Sequence, residues 1–378
     1  MKTVVIAGYA RTPFTLAKKG ALASVRPDEM AAQLIKAFVA RTGIKPDDLE
    51  DLILGCAIPE GEQGLNMARL VGLLAGLPQS VAGQTINRFC GSSMQAIHTA
   101  SGAIQMGAGE AFICAGVESM TRVPMTGFNL FPHPNLARSL PGAYMGMGDT
   151  AENVARQWDI PRGRQEEFAF RSHQKAAKAQ AAGHFKDEII PVQAKKGIVD
   201  SDGCIRVDTS LEALAGLKPA FDQAGTVTAG TSSPLTDGAS VTLVCSADYA
   251  EKNGLKPLAR VAAIAVAGCA PEIMGIGPVA ASRKALQRAG IKAAALDVIE
   301  LNEAFAAQAL ACVQDLQLDP EKVNIDGGAI AIGHPLGASG ARITGKAASL
   351  LKRTGGRYAL ASMCIGGGQG SATVLEAM

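Results

Sequence analysis

A stretch near the start of the chain recurs in similar form, without gaps, 247 residues further on. Segment Arg41–Ala57 aligns with Arg288–Ala304, and each copy places Gly-Ile-Lys between the end of a helical pattern and an apolar strand pattern. Similarity that extends over matching strand–helix contexts indicates a duplicated unit rather than chance. The chain is therefore predicted to fold as two similar α/β halves.

The rest of the sequence supports alternating strands and helices. Strand patterns cover Thr3–Ala7, Leu52–Leu54 and Ala111–Ala115, and a helix is predicted from about Pro27 to a stop at Gly43. Such alternation favours parallel α/β layers with helices on both faces. A length of 378 residues allows two or three packed units, given a typical domain of about 150 residues.

The region 121–235 has a different character. Residues 122–148 are rich in Pro, Gly, Phe and Met without a period, and helical patterns follow at Thr150–Gln157 and Gln165–Ala182. Asp149 and Glu152 have the spacing of a capping box. We interpret 121–235 as an insertion that covers a site. The N-terminal half is then 1–120, completed by about 236–256, and the C-terminal half is 257–378.

Composition excludes several classes of protein. The net charge is +2 and aromatic residues make up 4%, which argues against nucleic-acid binding. No apolar run reaches the ~18 residues of a membrane span. The eight cysteines are scattered without a C-x-x-C pair, so free thiols are expected rather than disulfides or zinc. With no recognisable targeting signal, a reducing, cytoplasmic setting is expected.

The first chemical candidate is Cys90, in the segment Asn87–Met94. It falls where a strand pattern passes into a helix, and the helix N-terminus is expected to lower the pKa of its thiol. The alternative, a small buried hydrophobic residue, suits Cys114 and Cys245 better. Cys90 is therefore predicted to be a nucleophile.

The second candidate is His334, within the glycine-dense segment Gly327–Gly340. This segment has neither the Lys-Ser/Thr pair of a phosphate-binding loop nor a dinucleotide fingerprint. His334 lies between a glycine and a proline. The other four histidines fall on helical patterns or in a Pro-rich loop, where packing or surface roles are expected: His98, His133, His173 and His184. A cysteine and a fixed histidine are the minimum for an activated thiol.

Two further segments carry polar groups beside strands. Cys364 ends a strand pattern and precedes a glycine turn, Gly366–Gly368, whose bare N–H groups could stabilise an oxyanion. A structural thiol in a glycine-rich hairpin is the alternative. Asn302 and Glu303 follow another strand, at the edge where open α/β sheets bind ligands. A simple helix cap would account for Asn302 equally well.

In their order along the chain, the four segments resemble the thiolase family, and the resemblance extends over essentially the whole chain. The resemblance implies two similar α/β halves in an α-β-α-β-α layering, with an inserted loop domain over coenzyme A. It implies that Cys90 becomes an acyl-thioester and that His334 deprotonates it. It also implies that Asn302 holds a water beside the thioester oxygen, that Cys364 is the acid/base at the α-carbon, and that the N–H groups of Cys90 and Gly366 form an oxyanion hole.

The same resemblance makes predictions about the substrate. Ser233 matches a position near the pantetheine, whereas Met147, Met274 and Phe305 match apolar pocket positions. Coenzyme A and acyl-CoA are implied as substrates, without a metal or prosthetic group, in a homodimer or homotetramer.

At two positions the chain differs from the usual residues of the family, and both differences bear on function. Short-chain members carry His before the pocket Met. Here the residue is Gly146, so a 3-ketoacyl-CoA thiolase of broad chain length is expected. Asp326 stands where members usually have Asn, which leaves the hydrogen bonding of the His334 loop open.

Three alternatives remain at this point. A biosynthetic acetyl-CoA acetyltransferase would use the same residues in the reverse direction. A non-catalytic acyl-CoA-binding protein would be expected to lack Cys90, His334 or Cys364, and all three are present. A ketoacyl synthase resembles a Cys-His-His arrangement, whereas the third position here is Cys364.

Overall fold

The computed structural model describes residues 2–378, which form a mixed α/β molecule. The strands are β1 Val4–Arg11, β2 Thr15–Leu16, β3 Asp51–Gly55, β4 Ala82–Ile86, β5 Ala111–Ser119, β6 Val192–Ala194, β7 Gly197–Val199, β8 Thr236–Ser246, β9 Ala259–Gly268, β10 Val298–Leu301, β11 Tyr358–Ile365 and β12 Gln369–Glu376. The α-helices are α1 Pro27–Thr42, α2 Met67–Leu74, α3 Ser92–Met106, α4 Pro134–Ser139, α5 Met147–Gln157, α6 Arg162–Ala181, α7 Leu211–Ala215, α8 Ala247–Lys252, α9 Gly277–Ala289, α10 Ala306–Leu316, α11 Ala329–Ile332 and α12 Ser339–Thr354.

The strand order shows the duplication directly. The main sheet runs β10-β11-β12-β9-β1-β8-β5-β3-β4, with β2 added beside β8. From its centre outward, β9, β12, β11 and β10 repeat the order and directions of β1, β8, β5 and β3. The two halves meet through a short antiparallel contact between β1 and β9, with only Val5–Arg260 and Ile6–Ala259 paired.

The sequence repeat adopts the same local structure twice. Gly43 ends α1 with φ of 71°, and Gly290 ends α9 with φ of 70°. A 3₁₀ turn follows each glycine, at Pro46–Asp48 and Ala293–Ala295, before β3 and β10. Glycine suits both ends because a left-handed residue there has no Cβ to clash. The predicted duplicated unit is confirmed.

Helices α3 and α12 lie between the two half-sheets. They pack on each other, with α3 also against β3 and β5, and α12 against β10 and β11. Helix α1 covers the outer face of the N-terminal half, and α9 covers that of the C-terminal half. Helix α12 is buried around most of its circumference, as expected for a helix with sheets on two sides. This gives the expected α-β-α-β-α layering.

Between β5 and β8 the chain runs through α4 to α7 and a small β6–β7 hairpin. The two predicted helices are present as α5 and α6, although both begin earlier than predicted. The capping box is wrong, because α5 begins at Met147 after Gly146. The Glu152 carboxylate instead accepts N–H bonds from Thr226 and Val227.

A buried ionic network connects this segment to both halves. Arg11 is fully buried and pairs with Glu188 and Asp202. Lys346 of α12 pairs with Glu188 at 2.9 Å and with Asp326 at 2.7 Å. Asp326, which replaces the expected Asn, therefore supplies a negative charge to this network rather than a hydrogen bond to His334.

Asp326 is also held by Arg353 through two bonds of 2.7 Å. Burial opposes its ionisation, but the Arg353 and Lys346 cations hold the pKa of the carboxyl well below its usual range. His184 lies 3.3 Å from the same carboxylate. None of the helices formed by residues 2–378 combines the length and apolar character needed to cross a bilayer.

Candidate active site

Cys90 lies in a sharp turn between β4 and α3. Phe89 has φ of 43°, which is uncommon for a residue with a bulky side chain. Local bonds hold this strained turn. Asn87 Oδ1 accepts the Phe89 N–H at 2.7 Å, and the Ser92 hydroxyl donates to Phe89 O at 2.6 Å. The turn places Cys90 directly before the first residues of α3.

The C-terminal half packs closely against this turn. A Cβ on Gly91 would lie 2.5 Å from Ile365 Cδ1, so the absence of a side chain here lets Ile365 pack against the turn. The backbone N–H groups of Gly366 and of Cys90 itself lie near the Cys90 thiol and favour its thiolate form. Cys90 and Gly366 are therefore brought together as the sequence predicted.

The predicted low pKa of Cys90 is wrong. Burial raises the pKa of its thiol to about 12, and the negative charge of Glu118 adds to the rise. The two N–H groups oppose this shift but do not overcome it. Desolvation of the thiol outweighs the effect of the helix N-terminus, so the resting residue is a thiol.

Cys364 is the next-to-last residue of β11, beside the glycine turn to β12. It pairs with Gly370 across the hairpin, and Gly367 and Gly368 turn the chain with φ of 76° and 81°. Burial raises the pKa of Cys364 well above its usual value, and the nearby Cys90 raises it further. Two protonated thiols, one from each half of the chain, therefore share the site.

His334 is 4% exposed and is held on three sides. Its backbone N–H donates to Thr236 Oγ1 at 3.0 Å, and its Nδ1 lies 2.6 Å from the Ser339 hydroxyl. That hydroxyl donates to Pro335 O at 3.1 Å, so its oxygen accepts the proton on Nδ1. Nε2 is then the basic nitrogen. Burial, with Arg342 nearby, lowers the pKa of His334 to about 3, so the resting imidazole is neutral.

Asn302 follows β10 and faces this imidazole. Its side-chain N–H donates to His334 Nε2 at 3.3 Å, and its backbone N–H donates to Ser362 O at 2.9 Å. Its Oδ1 is buried without a hydrogen-bond partner. A buried acceptor in this state needs a donor such as a water or a substrate group.

The predicted pocket residues also meet here. Met274, Phe305 and Cys364 belong to one apolar cluster, and Met147 packs against it. Ser233 lies close by, because its N–H donates to Ala304 O at 2.9 Å. All nine predicted site residues are thus placed at, or directly beside, one region of the molecule.

With this geometry in view, the comparisons with known proteins decide the family. The family described as "Thiolase, N-terminal domain" matches residues 4–248, and "Thiolase, C-terminal domain" matches residues 255–377. The chain belongs to the thiolase family. It is an enzyme of the acyltransferase type.

Thiolase relatives match along their whole length. A protein of Bacillus subtilis (strain 168) named 3-ketoacyl-CoA thiolase is 46% identical, and one of the same name from Aeromonas hydrophila is 49% identical. Both alignments cover 100% of each chain. The crystal structure of the Bacillus anthracis acetyl-CoA acetyltransferase is similar with a TM-score of 0.91, at 41% identity over 100% of this chain and 99% of the other. That of human mitochondrial 3-ketoacyl-CoA thiolase in complex with CoA has a TM-score of 0.92, at 38% identity over 100% of this chain and 98% of the other.

The thiolase structure also contains site residues that the sequence analysis missed. Phe221 stacks edge-on against Phe305, with ring centres 5.9 Å apart. Arg206 lines a cleft together with Ser232. Thr236 and Ser339 hold His334. Ser339 had a local signal, since it lies one helical turn after Pro335, whereas the other contacts join distant segments.

The histidines and cysteines for which packing roles are expected lie in packed surroundings. His98 is buried and bonds Thr373 at 2.9 Å, and His173 accepts the Arg206 N–H at 3.1 Å. Cys114 and Cys245 are buried in the apolar core. Within residues 2–378, no three His, Cys, Asp or Glu side chains are grouped closely enough to hold a metal ion.

Proposed function

We propose that this thiolase cleaves 3-ketoacyl-CoA with coenzyme A, giving acetyl-CoA and a shortened acyl-CoA, as in fatty-acid β-oxidation. The observation that carries the proposal is that two thiols, Cys90 and Cys364, one from each half, share a site. Asn302 joins His334 to the strand that carries Cys364. The names of the relatives at 46% and 49% identity support the substrate class.

The reaction opens with a proton transfer from Cys90 to His334 Nε2. The thiolate attacks the 3-keto carbon, and the backbone N–H groups of Cys90 and Gly366 stabilise the oxyanion. Because the thiol and imidazole are both neutral at rest, charge develops only when the proton moves between them. The nucleophile thereby stays protonated until His334 takes its proton.

Carbon–carbon cleavage follows. The bond between the α- and β-carbons breaks, leaving an acyl group on Cys90 and the enolate of acetyl-CoA. Cys364 donates its proton to the α-carbon of that enolate and becomes a thiolate. The imidazolium of His334 and a water on the unpaired Asn302 Oδ1 stabilise the enolate oxygen.

A second coenzyme A completes the cycle. Its thiol gives a proton to the Cys364 thiolate and attacks the acyl carbon. The Cys90 thiolate leaves and recovers its proton from His334. Every group returns to its starting state without a metal or prosthetic group.

The coenzyme A site is proposed on the segment 121–235 and the strand that follows it. Ser233 lies beside the apolar cluster, where a pantetheine arm would pass. The Arg206 guanidinium, in the cleft with Ser232, suits a phosphate of the nucleotide. We also propose three functional parts: an N-terminal half of 1–120 completed by about 236–256, the inserted 121–235, and a C-terminal half of 257–378.

A homodimer is proposed, with a homotetramer as the larger alternative. Strand β4 is at the edge of the sheet, and α2 packs beside it. Leu70, Leu73 and Leu74 of α2 are exposed by 44–53%. An unpaired strand edge beside exposed leucines suits a second copy of the chain. The eight free cysteines support a reducing, cytoplasmic setting.

The biosynthetic direction, acetoacetyl-CoA formation, is the second candidate. The likeness to the Bacillus anthracis acetyl-CoA acetyltransferase favours it. Gly146 favours the degradative reaction, because no side chain at this position narrows the space beside Met147.

The direct test is Cys90→Ser. It is expected to abolish thiolysis of 3-ketooctanoyl-CoA, because an alcohol of ordinary pKa is a far poorer nucleophile and leaving group. Intact-mass spectrometry should show an acyl adduct on the wild type and none on the variant. Turnover near the wild-type rate in the folded variant would contradict the proposal.

A further inference from the structure

Two buried carboxylates lie on either side of the His334 loop. Glu118 is near the end of β5, in the N-terminal half, and Glu303 follows β10, in the C-terminal half. They are 1% and 2% exposed. Within residues 2–378 neither has a lysine, arginine or histidine at ion-pair distance, so both charges are met by hydrogen-bond donors alone.

Glu118 binds the loop after the histidine. Its Oε2 accepts the Gly337 N–H at 2.8 Å and the Ala57 N–H at 2.8 Å. Its Oε1 accepts the Gln63 side-chain N–H at 2.7 Å and the Ile58 N–H at 3.3 Å. The carboxylate therefore joins the segment three residues beyond His334 to the loop after β3.

Glu303 binds the loop before the histidine. Its Oε2 accepts the Ile330 N–H at 3.1 Å and the Ser172 hydroxyl at 2.7 Å. Its Oε1 accepts the Asn324 side-chain N–H at 2.8 Å. The Ser172 oxygen in turn accepts the Gly328 N–H at 3.1 Å. This carboxylate thus joins the loop to helix α6.

The glycines of the loop make these contacts possible. A Cβ on Gly328 would lie 2.1 Å from the Glu303 carboxyl carbon, and one on Gly337 would lie 2.9 Å from Glu118 Oε2. Gly328 has φ of −120°, and neither glycine has a positive φ, so space rather than a turn requires them. Gly328 thus leaves space for the Glu303 carboxylate. Gly337 leaves space for Glu118 and for Cys56 Cα and Val117 O, each 2.8 Å from such a Cβ.

Burying two carboxylates without cations is costly. Burial raises the pKa of both groups, and the donors named above oppose the rise. We propose that Glu118 and Glu303 are positioning residues that clamp the loop from both sides and so fix His334 against Cys90 and Asn302. The proposal rests on the assignment of His334 as the base for Cys90.

A purely electrostatic role for Glu118 makes the opposite prediction. Its charge raises the pKa of the Cys90 thiol. Neutralising Glu118 without moving the loop would make Cys90 more reactive, whereas releasing His334 would make Cys90 less reactive. The two roles therefore differ in the sign of the effect.

The experiment uses Glu118→Gln and Glu303→Gln in the full chain. All the contacts on these carboxylates come from donors, so an amide N–H₂ would face a donor and displace the loop. Iodoacetamide labelling of Cys90 is followed from pH 6 to 10 by peptide mass spectrometry, with kcat and KM for thiolysis. We expect labelling at pH 7 and kcat each to fall at least tenfold, with KM within threefold of the wild type.

Glu152→Gln is the matched control. Glu152 is also a buried carboxylate that accepts backbone N–H bonds, but its donors, Thr226 and Val227, are not in the His334 loop. It should lower Tm as the test variants do, while labelling of Cys90 keeps the wild-type profile. Ser172→Ala is a milder variant should the Gln variants not fold, and it should slow labelling about threefold.

The outcomes are distinct. Faster labelling in Glu118→Gln, or unchanged labelling in folded Gln variants or Ser172→Ala, overturns the clamp. Equal slowing in Glu152→Gln also overturns it, because loss of stability alone would then explain the effect. His334→Ala tests the underlying assignment separately. If it leaves the labelling profile unchanged, the proposed base is wrong, whatever the other variants do.

Discussion

At the scale of single residues, the reacting groups of the site carry no charge at rest. Burial raises the pKa of both thiols and lowers that of His334, so all three groups are neutral at rest. A helix N-terminus normally favours a thiolate. Here desolvation of the thiol dominates, and reactivity depends on proton transfer from Cys90 to His334.

Cys364→Ala separates the two half-reactions. In acetyl-CoA/CoA exchange no enolate is protonated, so no Cys364 thiolate forms. The neutral His334 can then take the proton of the coenzyme A thiol and return it to Cys90. Exchange through the acyl-enzyme should therefore persist in the variant. Carbon–carbon cleavage should fall by about 10²–10⁴, as is typical when a general acid/base is lost. Both rates are measured on one folded preparation with labelled coenzyme A. A purely structural Cys364 predicts parallel loss of both, and near-normal thiolysis would also refute its role.

Gly146→His tests chain-length selection. A Cβ at this position would lie 2.8 Å from Asp149 Oδ2, so the new side chain is constrained and must displace its neighbour or point toward the pocket. Each lost methylene contact is worth about 0.8 kcal/mol. The C8/C4 ratio of kcat/KM should therefore fall roughly tenfold. Gly163→His, at an open position on α6, is the control, and an equal ratio in both variants would exclude gating by position 146.

At the scale of elements, helix α3 joins the two halves of the site. Its N-terminus follows Cys90, and its His98 bonds Thr373 of β12 at 2.9 Å. Burial, with Arg88 nearby, lowers the pKa of His98 to about 3. The neutral imidazole is thus part of the contact between the halves.

This contact predicts a loss of stability in acid. The unfolded chain binds a proton at His98 near pH 6.5, whereas the folded chain binds it only near pH 3. The contribution is therefore complete above pH 6.5 and is lost as the pH falls towards 3. At pH 5 the loss from His98 is about 2 kcal/mol. Denaturant unfolding at pH 7.5 and 5 should show a smaller loss in His98→Gln, and equal losses would contradict the prediction.

The sequence predicted helices, strands and candidate site residues better than it predicted what packs around them. The end of α1 at Gly43, the strand β3 and the β11–β12 hairpin follow from local patterns, and so do Cys90, His334, Asn302 and Cys364 as candidates. The pKa of Cys90 and the capping box at Asp149 were wrong, because water exclusion and the Glu152 bonds to Thr226 depend on segments far away in sequence. Contacts between segments that are far apart in the chain leave no periodic pattern in the sequence.

At the scale of the whole molecule, a buried network of charges links the parts of the chain. Arg11 comes from β1, Glu188 and Asp202 from the segment between β5 and β8, and Lys346 and Asp326 from the C-terminal half. The network buries cations and carboxylates together, so removing one group leaves its partner buried without an opposite charge.

Lys346→Met should therefore destabilise the protein strongly. Glu188 keeps Arg11 and Asp326 keeps Arg353, but both lose a buried cation, which typically costs about 3–5 kcal/mol. The free energy of unfolding in urea measures this, with exposed Lys352→Met as the control. kcat per folded molecule should stay the same. A change below about 1 kcal/mol would show that the network relaxes around the missing charge.

The short contact between β1 and β9 has a consequence for how such an enzyme could arise. Each copy of the repeated unit supplies one of the two thiols, and neither copy holds both. Fusion of the copies into one chain lets a mutation alter one thiol's surroundings without altering the other's. Duplication thus let the two copies, which carry the thiols at different positions, before α3 in one and at the end of β11 in the other, take different chemical tasks, nucleophile and acid.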